Sequence, residues 1–229
     1  MLKRHSVLHT ICLITACLLQ TEVAMASCSS KPGPGVDWSG CKKTNKIFRG
    51  RQLEGAELIS TDLSSSDLRE VDLSGANLSR AIMVRSRLQK ANLSSAKLIK
   101  ALGYRSDFSE SDLTGADLSK AEFSRANLSG ATLVETKMDK AEFGRVKFNG
   151  ATLQRVTLTY AYMARADFRN ATLDDVDLTG AYLYLANVKS TDLTKVKGLT
   201  IDQLSLACGD DNTVLPASVS QTPAWRCID

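Results

Sequence analysis

Histidine is almost missing from this 229-residue sequence: it has two, His5 and His9, both within the first nine residues. Beyond them the chain has no imidazole, which excludes Ser-His-Asp and Cys-His catalysis and every histidine-bearing metal site there. The lack of histidine does not exclude an enzyme that uses only carboxylates or lysine. With 24% charged and 43% hydrophobic residues, the chain is neither an obvious disordered protein nor a multi-span membrane protein.

The first 26 residues have the anatomy of a secretory signal peptide. Two basic residues precede a mostly apolar run over residues 6–19, and Ala24-Met25-Ala26 supplies a small-x-small cleavage pattern before Ser27. The run is too short for a comfortable transmembrane helix. We therefore expect a periplasmic or secreted bacterial protein, with a buried N-terminal helix as the alternative.

A second alternative for the same segment is a lipoprotein signal. Ile14-Thr15-Ala16-Cys17 resembles a bacterial lipoprotein box, although Leu18 and Leu19 continue the apolar run where a lipoprotein usually turns polar. Lipidation at Cys17 would provide the only membrane contact that we expect.

A five-residue repeat runs through the centre of the chain. Stepping by five from Phe48 to Leu193 meets 30 positions, and 29 of them have Leu, Phe, Met or Val, with Gly103 as the exception. Two residues before these reference positions, 28 of 30 residues are Ala, Ser, Thr or Val, with Lys46 and Arg51 as the exceptions. The residue between is usually polar.

Neither an α-helix nor a straight strand buries all of these reference side chains. On a helix, five residues advance by about 500°, so successive leucines form no stripe. On a strand, an odd step puts successive leucines on opposite faces. A chain that buries every one must turn a corner each five residues, and it coils into a solenoid with hydrogen bonds between coils.

The repeat, seen for example in Gly75-Ala76-Asn77-Leu78-Ser79, resembles that of the pentapeptide-repeat family, whose consensus is A(D/N)LXX, over residues 46–195. The resemblance implies an all-β fold, a right-handed quadrilateral β-helix with four repeats per coil and about 7.5 coils along a rod of about 36 Å. It implies no single function, because the functions of the family vary. We expect cap segments over residues 27–45 and 196–229.

Cysteine and proline beyond the signal segment are confined to the flanks of the repeats. There the four prolines interrupt no hydrogen bond between coils. An exported protein with four cysteines is expected to be disulfide-bonded. Since the ends of a rod are far apart, we predict the structural disulfides Cys28–Cys41 and Cys208–Cys227; the alternative, a four-cysteine metal site, would need both ends to meet.

A short helix is predicted to close the last coil, over about residues 201–208. Thr200 and Gln203 have the spacing of a capping box, Leu199 and Leu204 that of a hydrophobic staple, and Gly209 is the expected helix stop. Such a helix would cover the end of the solenoid, whose edge would otherwise pair with another chain.

Two neighbouring outward columns of basic residues are the candidate site for an anion or partner. With four repeats per coil, residues 20 apart stack, and an anionic partner would relieve the repulsion within each column. The alternative is a solvated face, partly neutralised by Glu122 and Glu142, on a chain that has a net charge of +3 without residues 1–26 (27 basic minus 24 acidic residues). One column comprises Arg85, Arg105, Arg125, Arg145 and Arg165, and the other Arg80, Lys100, Lys120 and Lys140.

Two local features depart from the simple repeat. Tyr160, Tyr162, Tyr182 and Tyr184 cluster in the last coils, where we expect them to pack under the C-terminal segment; an outward contact surface is the alternative. At Gly103 we expect a local bulge with a neighbour filling the gap, and a hinge or ligand notch is the alternative.

These features favour a non-enzymatic, exported scaffold or binding module whose partner is a protein or an envelope polyanion. We expect no catalytic residue, no metal and no cofactor, because histidine is missing and the solenoid interior is filled. The main alternative is a DNA mimic that binds a topoisomerase, as some cytosolic members of the family do, but mimicry requires an acidic surface. Nucleic acid is disfavoured as a partner, a secreted effector is indistinguishable from the first hypothesis, and the oligomeric state stays open.

Overall fold

The computed structural model describes residues 27–227, so the predicted signal peptide and Cys17 lie outside the described residues. Its regular elements are short because each side of a coil is only a few residues long. The strands are β1 (Thr132–Val134), β2 (Thr152–Gln154), β3 (Thr172–Asp174), β4 (Val176–Asp177) and β5 (Val196–Lys197), and the helix is α1 (Ile201–Ser205). Elsewhere single β-bridges take the place of strands.

Parallel pairing between residues 20 apart builds the coil. Strands β1, β2 and β3 form one sheet in that order, each shifted by 20 residues, and β4 pairs with β5 at the same shift. Single bridges repeat this step along the chain, from Asp37 paired with Glu57 to Asp167 paired with Asn187. Four five-residue repeats therefore complete one turn, which confirms the right-handed quadrilateral β-helix expected from the sequence.

Most corners of the coil are β-turns that need a residue with positive φ. At the corner after Leu73, the Ala76 N–H donates to the Leu73 carbonyl over 3.0 Å, and Gly75 has a φ of 64°. Positive φ at the second central residue is the requirement of a type II turn. At other corners a long polar residue adopts the same conformation, as Arg80 does with a φ of 59°. Glycine avoids the steric cost of this conformation, whereas arginine bears it.

The interior is a stack of the reference side chains. All of them, from Phe48 to Leu193, are buried. Residues in successive coils touch, as Phe148 and Phe168 do with ring centroids 5.2 Å apart and an interplanar angle of 12°. Because burial of one such side chain contributes about 1.5–3 kcal/mol, this stack is the main source of stability.

Gly103 stays in register with its neighbours. Its N–H donates to the Glu122 carbonyl over 2.8 Å, so the prediction of a local bulge is wrong. The ring of Phe123, one coil further on, fills the space of the missing side chain: a Cβ built on Gly103 would lie 2.8 Å from Phe123 Cε1. The prediction that a neighbour fills the gap is confirmed, and no room is left there for a ligand.

Pairing between coils already includes residues ahead of residue 46. Asp37 pairs with Glu57, so the first coil includes residue 37. Trp38 takes a reference position and is fully buried. Lys43 takes the next one: its Nζ lies 3.9 Å from the Trp38 ring centroid and donates to the Cys28 carbonyl over 2.8 Å. The sequence pattern missed these two repeats because tryptophan and lysine replace the usual apolar residues.

Both predicted disulfides are present. Cys28 is bonded to Cys41 and Cys208 to Cys227, with Cα–Cα distances of 5.5 and 4.6 Å. Each ties a terminal segment to a coil, because Cys41 is buried in the first coil and Cys208 pairs with Asn187 in the last. The alternative of a shared metal site is wrong, since the four sulfurs form two separate bonds.

Helix α1 covers the C-terminal end of the core, but it ends at Ser205, three residues earlier than predicted. The capping box is confirmed: Thr200 Oγ1 accepts a hydrogen bond from the Gln203 N–H, and Gln203 Oε1 accepts one from the Thr200 N–H. Gln203 Nε2 also donates to the carbonyls of Leu178 and Ala181 in the last coil. The side chain that caps the helix therefore also attaches it to the solenoid.

Gly209 has a different role from the predicted helix stop. The Trp225 ring packs against it, and a Cβ on Gly209 would come within 2.6 Å of the ring atoms. The segment that follows pairs once more with the coil below it, through Val214 and Asp192. The tail thus extends the solenoid edge before it returns to Cys227.

Asp67 is a buried carboxylate held by two arginines. Arg69 donates to it through Nε over 2.8 Å and through Nη2 over 2.6 Å, and Arg87 Nη2 lies 3.5 Å from Oδ2. These contacts, led by the Arg69 hydrogen bond, lower the pKa of Asp67 from 3.8 to about 2. We predict that Asp67→Asn lowers the free energy of unfolding at neutral pH by about 2 kcal/mol.

The pH dependence of this loss follows from the direction of the pKa shift. Because the folded pKa lies below the unfolded one, the Asp67 carboxylate contributes fully above about pH 4 and loses its contribution as the pH falls to about 2. Urea unfolding of the wild type and Asp67→Asn across this range measures the difference. A difference that is unchanged at the acid end would contradict the prediction.

Candidate anion-binding face

Two consecutive corners of the coil bear the basic columns, and we call the flat side between them, together with these corners, the basic face. The side is one repeat wide, at most about 17 Å of extended chain. All nine corner residues have positive φ, between 55° and 62°, and so belong to the turns described above. They are Arg80, Lys100, Lys120 and Lys140 on one edge, and Arg85, Arg105, Arg125, Arg145 and Arg165 on the other.

Backbone hydrogen bonds hold the arginine column in register. The N–H of Arg125 donates to the Gly144 carbonyl and that of Arg145 to the Ala164 carbonyl, both over 2.8 Å. Successive arginines are therefore one coil apart, which is about 4.8 Å at the usual spacing of paired strands. The predicted stacking of residues 20 apart is confirmed for this column, although its binding role stays a prediction.

The nine basic side chains have no ionic partner in the described chain. Among residues 27–227, no carboxylate oxygen lies within 4.0 Å of any of them, although eight other ion pairs form, such as Arg155 with Glu135 at 2.8 Å. Glu122 and Glu142, which lie in the middle of the basic face, are unpaired in the same residues. The expected neutralisation by these two glutamates therefore does not take place through direct contact.

A groove lies beside the arginine column in the C-terminal half of the basic face. Its volume is about 320 Å³. The residues that precede the arginines form its floor, and Ser124, Gly144 and Ala164 are small enough to leave it open. In the same column Tyr104 lies one coil before these residues and Tyr184 one coil after them. The groove is lined by Ser124, Arg125, Gly144, Arg145, Tyr162, Ala164, Arg165 and Tyr184.

Aromatic rings form the side of this groove opposite the arginines. Tyr162 and Tyr182 are stacked with ring centroids 5.5 Å apart, and Tyr182 and Tyr184 with centroids 6.1 Å apart. The Tyr162 ring rests on Gly144, where a Cβ would lie 3.1 Å from Tyr162 Cε1. This contact holds the ring from below, and a side chain at residue 144 would require the ring to shift by a few tenths of an ångström.

The prediction that the tyrosines pack under the C-terminal segment is wrong for three of them. Tyr160, Tyr162 and Tyr182 are 65%, 47% and 43% exposed. Tyr184 is partly buried and is approached from the tail by Arg226, whose Cζ lies 5.5 Å from the ring centroid. The C-terminal segment covers the end of the core and leaves this side of the coil open, so the outward surface that was the alternative is present.

Residues 27–227 were also searched for a metal site and for a membrane-spanning helix. No group of three His, Cys, Asp or Glu side chains there is placed to hold a metal ion. None of the helices in that part of the chain has the length and apolar character needed to cross a bilayer.

The five-residue repeats match a known family. Pentapeptide repeats, in eight copies, are recognised over residues 47–85, 86–125, 106–145, 126–161 and 161–197. The chain belongs to the pentapeptide repeat family. A search among curated proteins finds no significant match to the sequence.

Several solved structures of pentapeptide repeat proteins resemble this one. HetL from the cyanobacterium Nostoc sp. strain PCC 7120 is 27% identical, with a TM-score of 0.26, over 79% of this chain and 92% of HetL. QnrB1, a plasmid-mediated fluoroquinolone resistance protein, is 18% identical, with a TM-score of 0.41, over 79% of this chain and 93% of QnrB1. A protein of the Arabidopsis thaliana thylakoid lumen is 28% identical, with a TM-score of 0.33, over 51% of this chain and 68% of its own.

Within this pentapeptide repeat protein, sequence reasoning located the basic columns but missed the groove. The residues one position before the arginines, taken at steps of 20, have a pattern that predicts the groove. Three small residues there interrupt larger ones. The column is Val84, Tyr104, Ser124, Gly144, Ala164 and Tyr184.

Proposed function

We propose that this pentapeptide repeat protein is a non-enzymatic, exported binding module that holds an anionic partner on its basic face. The observation that carries the proposal is the set of nine basic side chains on one side of the coil, none of which has a carboxylate within 4.0 Å among residues 27–227. The same side and its corners hold three acidic residues, Glu122, Asp139 and Glu142, against these nine basic ones.

The energetics of the arginine column support an anionic partner. Two unit charges about 4.8 Å apart in water repel by about 0.9 kcal/mol, and salt and side-chain splaying lower this value. The hydrogen-bonded coils keep the backbones from moving apart, so the column cannot relax along its own axis. A partner with several negative groups would remove the repulsion and would meet a preformed array, which lowers the entropy cost of binding.

Export is supported by the two disulfides, because such bonds persist outside the reducing cytosol. The predicted signal peptide agrees with this, and lipidation at Cys17 remains the alternative form of export. An exported protein has no access to a cytosolic topoisomerase. A topoisomerase-binding DNA mimic also needs an acidic surface, whereas the two outward columns described above are basic.

We predict that replacing Arg105, Arg125 and Arg145 by asparagine weakens binding to heparin, used here as a model sulfated polyanion. Asparagine removes the charge and tolerates positive φ, so the turns are kept. Affinity at low salt should fall at least about tenfold, and the slope of log K against log salt should become shallower by about three, one for each lost cation. Isothermal titration at several salt concentrations measures both quantities.

The matched control replaces Lys97, Lys137 and Lys147 by asparagine. These lysines are exposed, lie on other sides of the coil and likewise have no ion pair in the described chain. This variant has the same change in net charge but should keep most of the affinity. Equal losses in the two triple variants would mean that only net charge matters, and the basic face would lose its special role.

A further inference from the structure

We infer that the groove beside Arg125, Arg145 and Arg165 is a binding subsite for an acidic polysaccharide, in which a sugar ring packs on Tyr162 while its carboxylate or sulfate meets the arginines. This inference rests on the proposed function and assigns it a ligand class and a location. Its three supports are the shape of the groove, the unpaired guanidinium groups along it, and the exposed aromatic rings opposite them.

The shape of the groove favours a narrow ligand. A volume of about 320 Å³ is near the lower end of the range for small-molecule pockets, which is about 300–1,000 Å³. The base of the groove is lined by the small side chains of Ser124 and Ala164, and the Tyr162 ring lies over Gly144, so a flat ligand ring would meet the Tyr162 ring and not the backbone at Gly144.

The charges along the groove suit carboxylate or sulfate groups. A guanidinium group has a planar set of donors that binds such oxyanions through two parallel hydrogen bonds. Three of these side chains arise from backbones about 4.8 Å apart, the usual spacing of paired strands. Among residues 27–227 no acidic side chain occupies any of them, so their hydrogen-bonding capacity toward anions is unused.

The tyrosines supply the apolar part of the site. Tyr162 is 47% exposed, and its ring is held from below by Gly144 and on one face by the stacked Tyr182, which leaves the other face for a ligand. An exposed ring that is already held in place binds the apolar face of a sugar at little entropic cost. The tyrosine hydroxyl groups remain available to the hydroxyl groups of the sugar.

Acidic sugars fit these features better than nucleotides. In an acidic sugar the charged group is attached to the ring or to its exocyclic carbon, so one residue can meet Tyr162 and Arg145 together. In a nucleotide the ribose separates the base that would stack from the phosphate. The two disulfides also favour a location outside the cytosol, where polysaccharides rather than nucleic acids are the abundant polyanions.

The experiment closes the groove without changing its charge. Ala164→Tyr places in this column the side chain that already occurs there at Tyr104 and Tyr184, and because Ala164 is only 5% exposed, circular dichroism and thermal unfolding first establish that the variant keeps the fold. Binding of a heparin-derived tetrasaccharide, measured by isothermal titration, should weaken at least about tenfold. Binding of full-length heparin, which also contacts the rest of the basic face, should change by less than about threefold. Val84→Tyr, in the same column but outside the groove, should leave both affinities as in the wild type.

The outcomes separate this inference from the proposed function. If Ala164→Tyr binds the tetrasaccharide as the wild type does, while the triple arginine variant loses heparin, the groove assignment is overturned and the basic face stands. If the wild type binds neither ligand, both fail. A thymidine tetranucleotide that binds more tightly than the tetrasaccharide and is lost in Ala164→Tyr would assign the groove to nucleic acid instead.

Discussion

Gly103→Leu should destabilise the protein by about 3 kcal/mol, although it restores the residue type that the repeat favours at this position. The expected loss comes from Phe123, whose ring atoms would lie 2.8–2.9 Å from the new Cβ. This ring is enclosed in turn by Phe108 and Phe143, with centroids 5.2 and 6.1 Å away. Since Phe123 is fully buried, any shift of its ring would displace these neighbours.

The same contact predicts a rescue. Phe123→Leu alone leaves a cavity beside Gly103 and should also be destabilising, whereas Gly103→Leu combined with Phe123→Leu restores two ordinary repeats and should recover most of the stability. A double-mutant cycle by urea unfolding measures the coupling, and Met83→Leu in the same column is the control for a mild change. Additive losses in the double variant would show that the Phe123 ring is not what excludes a leucine.

Loss of the Cys208–Cys227 disulfide, through Ser replacement of both cysteines, should lower the free energy of unfolding by about 3 kcal/mol. The bond closes a loop with a sequence separation of 19 residues that holds the tail over the last coil. Coils interact only with their neighbours, so the effect should begin at the C-terminal end. Trp225 packs on Gly209 in this loop, so its fluorescence, measured in a Trp38→Phe background, reports unfolding at the C-terminal end.

The other disulfide provides the matched control. Removal of Cys28–Cys41 should be reported by Trp38, which donates from Nε1 to the Ser30 carbonyl over 3.2 Å, in a Trp225→Phe background. For each tryptophan, the urea midpoint that it reports should be lower when the disulfide at its own end is removed than when the distant disulfide is removed. Simultaneous transitions at both tryptophans in both variants would mean that the solenoid unfolds as one cooperative unit and that the local effect is wrong.

The five-residue period was enough to predict a solenoid and its buried positions, because inward and outward positions in this fold depend on position within the repeat alone. The number of repeats per coil came from the resemblance to the family. The capping box at Thr200 and the disulfides followed from local spacing and from the separation of the two ends. The pattern failed where a repeat used unusual residues, as at Trp38 and Lys43. The end of α1 was also missed, because Gly209 is needed for the Trp225 ring and not for the helix.

Contacts between coils were decided by the tertiary structure. Whether Phe123 fills the space at Gly103, whether Glu122 pairs with an arginine, and whether Tyr162 is covered by the tail depend on side-chain directions and on residues about 20 or more positions apart. No local pattern specifies these. The groove has the same origin: its floor, its rings and its guanidinium groups come from several coils, and only the stacking of those coils brings them together.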